Sequence, residues 1–248
     1  MEEFIHLHVH TNYSILDGQS KVTRLVDKAI ADGMKGMAIT DHGVMFGIKE
    51  FADYCAGVNK KRKAEGLEPF KPIFGCEMYV AHHRLHDKVK EHGDNSGYHL
   101  IVLAKNYNGY KNLIKLVSKS WIDGYYYRPR TDRTELEKYH EDLIVCSACI
   151  AGEVPSKIIK GDLEGAREAC EWYHRVFGDD YYLELQRHEV KDPTILANRE
   201  AFPLQQKANK VLLEFAKEYG IKVICTNDVH FEDKETAEAH DHLLCLST

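Results

Sequence analysis

The sequence predicts an α/β fold of the β/α-barrel kind, a closed or nearly closed ring of about seven units. Three observations predict it. Short β-branched and aromatic runs alternate with longer amphipathic stretches, residues of metal-ligating chemistry fall at the C-terminal ends of the runs, and the length of 248 residues suits one large domain. Periodicity alone separates such a barrel poorly from an open doubly wound sheet.

In order along the chain, the runs that read as strands are residues 4–9, 36–40, 73–80, 99–104, 143–146, 181–185 and 222–226. Helical periodicity covers residues 20–32, 46–63, 110–121, 163–177 and 199–219. The first of these helices has Ser20 as its expected N-cap and Gly33 as its stop. Residues 82–97 are polar and His-rich and read as a long exposed loop, and the basic run Lys60 to Lys63 reads as a solvated helix end. Nothing in the chain repeats at a fixed period or resembles a linker, so a single domain over 1–248 is expected.

Composition narrows the function classes. With 44% hydrophobic and 29% charged residues, and no stretch of the ~18 apolar residues that a membrane span needs, the chain reads as a globular protein with no membrane partner. Met1, Glu2 and Glu3 lack the positive flank of a secretory signal, which points to the cytoplasm. Seven scattered cysteines, an odd number, fit reduced thiols better than a disulfide framework. A net charge of -6 argues against nucleic-acid binding through a broad basic surface, although bound divalent ions would reverse the sign locally.

Fifteen histidines are many for this length, and they cluster. The first strand ends in His8-Val9-His10, where strand alternation turns both imidazoles to one side, and Asp17 follows in the next loop. The second strand ends in Thr40-Asp41-His42, the third carries Gly75-Cys76-Glu77, and the seventh ends in Asn227-Asp228-Val229-His230. Tyr98-His99 opens the fourth strand, and Cys149 follows the fifth. Nine candidate ligands emerge: His8, His10, Asp17, His42, Glu77, His99, Cys149, Asp228 and His230. That is too many for one tetrahedral zinc and enough for two or three ions sharing carboxylates. Mixed imidazole, carboxylate and thiolate donors suit zinc, manganese or iron better than magnesium or calcium. Paired ions serve phosphoester displacement, because they activate water and stabilise both the attacking and the leaving oxygen. A lone His-x-His or Asp-x-His is as often structural as functional; it is their conjunction at successive strand ends that argues for metal.

Other residues are weaker candidates. His6 shares the parity of His8 and His10 but sits near the strand start, so it reads as a core or rim histidine. Cys146 and Cys149 form a CxxC pair with no second pair to complete a zinc ribbon. His82, His83 and His86 read as exposed loop residues. Asp41, Glu184 and His188 are placed to orient ligands through hydrogen bonds or to meet substrate. The tract from Tyr125 to Arg130 mixes aromatics with Arg128 and Arg130, as a single-strand binding edge would, although packing plus a surface charge explains it more simply.

Taken together, His8-Val9-His10, Thr40-Asp41-His42-Gly43, Gly75-Cys76-Glu77, Tyr98-His99-Leu100 and Asn227-Asp228-Val229-His230 resemble the polymerase and histidinol phosphatase (PHP) family. More narrowly, His6-Leu7-His8-Val9-His10-Thr11 with Tyr13-Ser14-Ile15-Leu16-Asp17-Gly18 resembles the N-terminal PHP domains of bacterial DNA polymerase III α subunits. Supporting matches are Tyr126 to Arg130, Ser147 to Glu153 and Asp241 to Cys245. The resemblance implies a distorted TIM-like seven-unit β/α barrel of the PHP type. It also implies up to three divalent ions, often zinc, held by all nine candidate positions, with no side chain needed as nucleophile. Asp17 and Cys149 stand where PHP phosphatases more often carry histidine, as in the polymerase branch.

Two activities follow from the resemblance: a metal-dependent 3′ to 5′ exonuclease that proofreads a primer 3′ end, or a metal-stabilised scaffold beside a separate proofreading subunit. A free-standing histidinol phosphatase is a third reading that the polymerase-like motifs disfavour. The resemblance further implies that the chain is the N-terminal fragment of a longer α subunit, without the palm and fingers, and so does not itself synthesise DNA.

Overall fold

The computed structural model describes residues 4–88, 96–192 and 194–246. Its helices and strands run α1 (Val22–Ala31), β1 (Gly36–Ile39), α2 (Ile48–Ala64), β2 (Lys71–Val80), β3 (Tyr98–Ala104), α3 (Tyr107–Ile122), β4 (Arg130–Thr131), α4 (Arg133–Lys138), β5 (Leu143–Cys146), α5 (Glu153–Lys160), α6 (Leu163–Phe177), β6 (Tyr181–Gln186), α7 (Ala201–Tyr219), β7 (Lys222–Thr226) and α8 (Ala237–Leu244). This is the mixed α/β class that the periodicity predicts. The chain divides into two compact units, Met1–Cys76 with Asp228–Thr248, and Glu77–Asn227. Among the described residues no helix is long and apolar enough to cross a membrane.

In the first unit, β1 is buried along its whole length and pairs in parallel with the start of β2, from Gly36 opposite Lys71 to Ile39 opposite Phe74. Helix α1 buries Val22, Leu25, Val26 and Ala29, the stripe that helical spacing dictates. It ends as expected: Gly33 takes φ +80°, and the amides of Gly33 and Met34 bond back to the carbonyls of Ile30 (3.0 Å) and Ala29 (2.9 Å). Its start differs from expectation, because Lys21 occupies the cap position with no side-chain bond. Ser20 is instead buried, and its carbonyl accepts from the Asn12 amide at 2.8 Å, tying down the loop that follows His10.

The predicted first strand is an extended segment with isolated bridges from His6 to Met37 and from Val9 to Val229. The ladder is interrupted for a definite reason. The Val9 amide donates to the Thr40 side-chain oxygen at 2.9 Å, where a regular ladder would use a main-chain carbonyl.

In the second unit, β5 pairs with β6 and β6 with β7 in parallel, and β4 pairs in parallel with the end of β2. An antiparallel pair departs from the mainly parallel expectation: β3 and β5 run opposite ways, with Ile101 facing Cys146 and Ala104 facing Leu143. Two short elements that periodicity does not reveal, β4 and α4, add a pass of chain between them. The buried faces of α3, α6 and α7 carry Leu113 and Leu116, Ala169 and Tyr173, and Leu212 and Phe215. Helix α5 also escapes the periodicity reading. It is short and holds Pro155 in its first turn, where a missing amide costs no helical bond. The expected loop has no helix or strand over residues 82–88 and 96–97, while 89–95 lie outside the described residues, as do 247–248.

Candidate metal centre

Six of the predicted ligands belong to the first unit: His8, His10, Asp17, His42, Asp228 and His230. Two reciprocal main-chain bonds dock the segment carrying His8 and His10 against the one carrying Asp228 and His230. The His10 amide donates to the Val229 carbonyl at 2.7 Å, and the Val229 amide to the His8 carbonyl at 3.1 Å. Strand-like alternation then brings Nε2 of His8 within 3.2 Å of Nε2 of His10. Asp228 Oδ1 lies 3.0 Å from the first nitrogen and 3.3 Å from the second. Asp228 has φ +51°, a left-handed backbone that residues other than glycine seldom adopt, so local strain is accepted to aim this carboxylate.

The loop carrying Asp17 is tight. Amides of Asp17 and Gly18 both bond to the Ser14 carbonyl, at 3.0 and 2.8 Å, and a Cβ on Gly18 would stand 1.9 Å from the Thr11 carbonyl oxygen. Asp17 Oδ2 consequently meets Nε2 of His42 at 2.5 Å and Nε2 of His230 at 3.1 Å. The His10 ring stacks on those of His42 and His230, with centroids 4.1 and 4.4 Å apart.

Tautomers follow from the partners on the far side of each ring. Asp41 is buried and accepts the Ser14 hydroxyl at 2.8 Å, the Thr11 amide at 2.7 Å and the Thr11 hydroxyl at 2.9 Å. With its proton committed to Asp41, Ser14 accepts from Nδ1 of His10 at 3.0 Å, which leaves a lone pair on Nε2 of His10. His230 donates Nδ1 to the Asp228 carbonyl at 2.9 Å, so in the neutral ring its Nε2 lone pair faces Asp17. Electron-rich atoms thus converge in two groups, His8, His10 and Asp228, and His10, His42 and His230, within each of which the ligating atoms lie within 4.8 Å of one another. Such convergence is repulsive unless a cation or a proton lies within it. Burial pushes the Asp228 and Asp17 carboxyls up, but the surrounding imidazoles outweigh it and hold both below the usual carboxylate range. His230 is lowered by burial and raised by Asp17 and Asp228, with a net rise. The field in this unit favours positive charge, and the donors fit divalent metal of the zinc, manganese or iron type.

The second unit gathers the other three ligands. Buried Glu77 near the end of β2 meets Nδ1 of His99 at 2.9 Å, and Sγ of Cys149 lies 3.7 Å from the same nitrogen. Cys149 follows Ala148, another left-handed residue (φ +62°), and precedes Gly152, where a Cβ would stand 2.0 Å from the Ser147 carbonyl oxygen.

Of the weaker candidates, Glu184 is buried and accepts from Gln186 Nε2 (3.0 Å) and from the Thr226 hydroxyl, and with Cys149 it lines a small pocket with a volume of about 10 Å³. His188 bonds through Nε2 to the carbonyl of Asn227 at 2.8 Å, the residue before Asp228, and through Nδ1 to Gln205 at 3.0 Å. Arg128 is exposed, with its guanidinium 5.8 Å from the Tyr79 ring centroid. Arg130 is 5% exposed, and its guanidinium bonds to the carbonyls of Gly124, Leu85 and Asp87, so it holds a loop. Sequence reasoning missed Thr11 and Ser14, which fix Asp41 and His10. The only signal for them is a pair of hydroxyl residues just after His-x-His.

The PHP domain family model matches residues 6–188. The chain belongs to the PHP domain family. This PHP domain is 42% identical over 245 residues to the DNA polymerase III subunit alpha of Borreliella burgdorferi, covering 99% of this chain and 19% of that protein. It is 41% identical over 246 residues to the same subunit of Treponema pallidum, again covering 99% and 19%. The chain therefore spans about a fifth of the length of these curated relatives. Among solved structures, a proposed metal-dependent phosphoesterase of Bifidobacterium adolescentis shares the fold, with a TM-score of 0.50 and 14% identity over 99% of this chain and 96% of that one.

Proposed function

We propose that this PHP domain is a metal-dependent phosphoesterase that acts as a 3′ to 5′ exonuclease on the primer end of DNA, as part of a cytoplasmic DNA polymerase III α subunit. The observation that carries the reading is the convergence of imidazole lone pairs and carboxylates around His10, which belongs to both donor groups of the first unit. Bound divalent ions would supply Lewis-acid activation of water and of the scissile phosphate. His8, His10 and Asp228 would hold one ion, and His10, His42, His230 and Asp17 are placed to serve a second. Glu77, His99 and Cys149 are proposed to serve a further ion in the second unit, and the nine-ligand pattern implies up to three ions in all. Ser14 and Asp41 keep Nε2 of His10 deprotonated and forward, and the Asp228 carbonyl does the same for His230. The chain thus supplies positioned acceptors, and no serine or cysteine need attack the phosphate.

Hydrolysis of a 3′-mismatched primer with Zn²⁺ or Mn²⁺ tests the reading, with His8→Ala and Asp228→Ala as comparisons. Metal-dependent trimming from the 3′ end in the wild type, lost in both variants, is expected. Equal, metal-independent activity in all three would remove it, and a metal-stabilised protein without any hydrolysis would leave a scaffold.

A further inference from the structure

The tract from Tyr125 to Arg130 is not absorbed by the metal centre, and its residues divide cleanly into an anchor and a display. Arg130 is the anchor. Its buried guanidinium bonds to three main-chain carbonyls and stacks 5.1 Å from the Tyr126 ring centroid. Gly124 closes the loop so tightly that a Cβ there would stand 1.9 Å from the Arg130 carbonyl oxygen. The Tyr126 amide bonds to the Arg128 carbonyl at 3.0 Å, and Tyr127 between them is held at φ +60°.

This rigid frame presents three side chains outward. Tyr127 is 61% exposed and Tyr125 48%, Tyr125 stacks on the half-exposed Trp121 with centroids 5.5 Å apart, and Arg128 is exposed. Arg128 is also tied to the donors of the second unit. Its guanidinium lies over the Tyr79 ring, and that ring meets His99 edge-on at 5.2 Å. A cation therefore lies one aromatic ring away from a candidate ligand, with exposed tyrosine rings beside it. A loop strained at Tyr127 and clamped by a buried arginine is an expensive way to expose aromatic surface, and such strain concentrates at binding sites.

We propose that Arg128, Tyr127 and Tyr125 form a binding strip for single-stranded nucleic acid, with Arg128 taking a backbone phosphate and the tyrosine faces stacking on bases. Aromatic faces stack on any base and an arginine fork suits phosphate, so the strip grips strands without reading sequence. The proposal rests on the exonuclease reading only for its purpose, which is to hold the strand whose end is cleaved.

The test is fluorescence anisotropy of a labelled oligo-dT of about a dozen nucleotides with the 248-residue chain in EDTA, where binding is read without cleavage. Tyr127→Ala and Tyr125→Ala are each expected to weaken binding by about five-fold or more, and Tyr127→Phe, which keeps the ring, to stay within about two-fold. Arg128→Gln is expected to weaken binding and to lower the slope of log affinity against log salt by about 0.7, the loss of one single-strand phosphate contact. Lys61→Gln, at the end of α2, serves as a charge control. No binding by the wild type, alanine variants that bind like it, or a Lys61→Gln loss equal to that of Arg128→Gln would each overturn the strip. Hydrolysis of bis(p-nitrophenyl) phosphate by the wild type with Mn²⁺ reports separately on the phosphoesterase reading. Its absence would sink that reading and leave the binding result standing.

Discussion

Nδ1 of His10 lies 3.0 Å from the hydroxyl oxygen of Ser14, and the Ser14 proton goes to Asp41. This relay fixes the His10 tautomer and aims its Nε2 at Asp228 and His8. Replacing Ser14 by alanine removes the acceptor while leaving every ligand in place. Outer partners of metal-binding histidines typically matter by about 10- to 100-fold in affinity. Ser14→Ala should therefore lower Zn²⁺ affinity by about that factor, as read by competition with a chromogenic chelator. An unchanged affinity would show that the relay does not orient His10.

Asp228 combines a ligand's charge with a left-handed backbone. Asparagine tolerates that conformation nearly as well as aspartate, whereas alanine meets a penalty of about 1 kcal/mol. Both Asp228→Asn and Asp228→Ala should lose metal affinity. In chelator, urea unfolding should place the alanine variant about 1 kcal/mol below the asparagine variant. Equal stabilities would mean that the backbone at this position relaxes without cost.

Gly152 allows the turn that follows Cys149 to close on Ser147, with room for no side-chain atom. Gly152→Ala should destabilise the chain by about 3 kcal/mol or more, because the opposing atom is main chain and cannot swing away. Thermal unfolding measures this directly. A variant that melts with the wild type would show that the segment from Ser147 to Gly152 is loosely held.

Thiol chemistry gives a pH-dependent prediction. Burial pushes the Cys55 and Cys170 thiols up to about 12, so both stay protonated and unreactive until the pH approaches that value. Cys225 and Cys245 are exposed. Iodoacetamide at about pH 8 should label Cys225 and Cys245 well before Cys55 and Cys170, as resolved by peptide mass spectrometry. Rapid labelling of Cys170 in the native protein would contradict its placement on the buried face of α6.

The legible part of the molecule was the part written in period and residue type. Alternation alone put His8 and His10 on one side, and the distances agree. Helix α6 and strands β5 and β7 begin and end where periodicity placed them. What stayed hidden depends on contacts between residues remote in sequence. Ser20 looked like a helix cap until its carbonyl was claimed by Asn12, and Arg130 looked like a surface charge until main-chain carbonyls surrounded it. The direction of β3 against β5 leaves no trace in the alternation of either strand. Ser14 and Thr11 are ordinary polar residues whose importance comes from Asp41, 27 and 30 positions away.

The converging donors around His10 are proposed to hold divalent metal. Elemental analysis of the purified 248-residue chain, after reconstitution with Zn²⁺ and removal of excess, tests this most directly. About two to three equivalents per chain are predicted, falling by about one or more in His10→Ala because His10 is shared by both donor groups. A wild-type chain that retains no stoichiometric metal, and whose unfolding temperature is the same with Zn²⁺ as with chelator, would contradict the account.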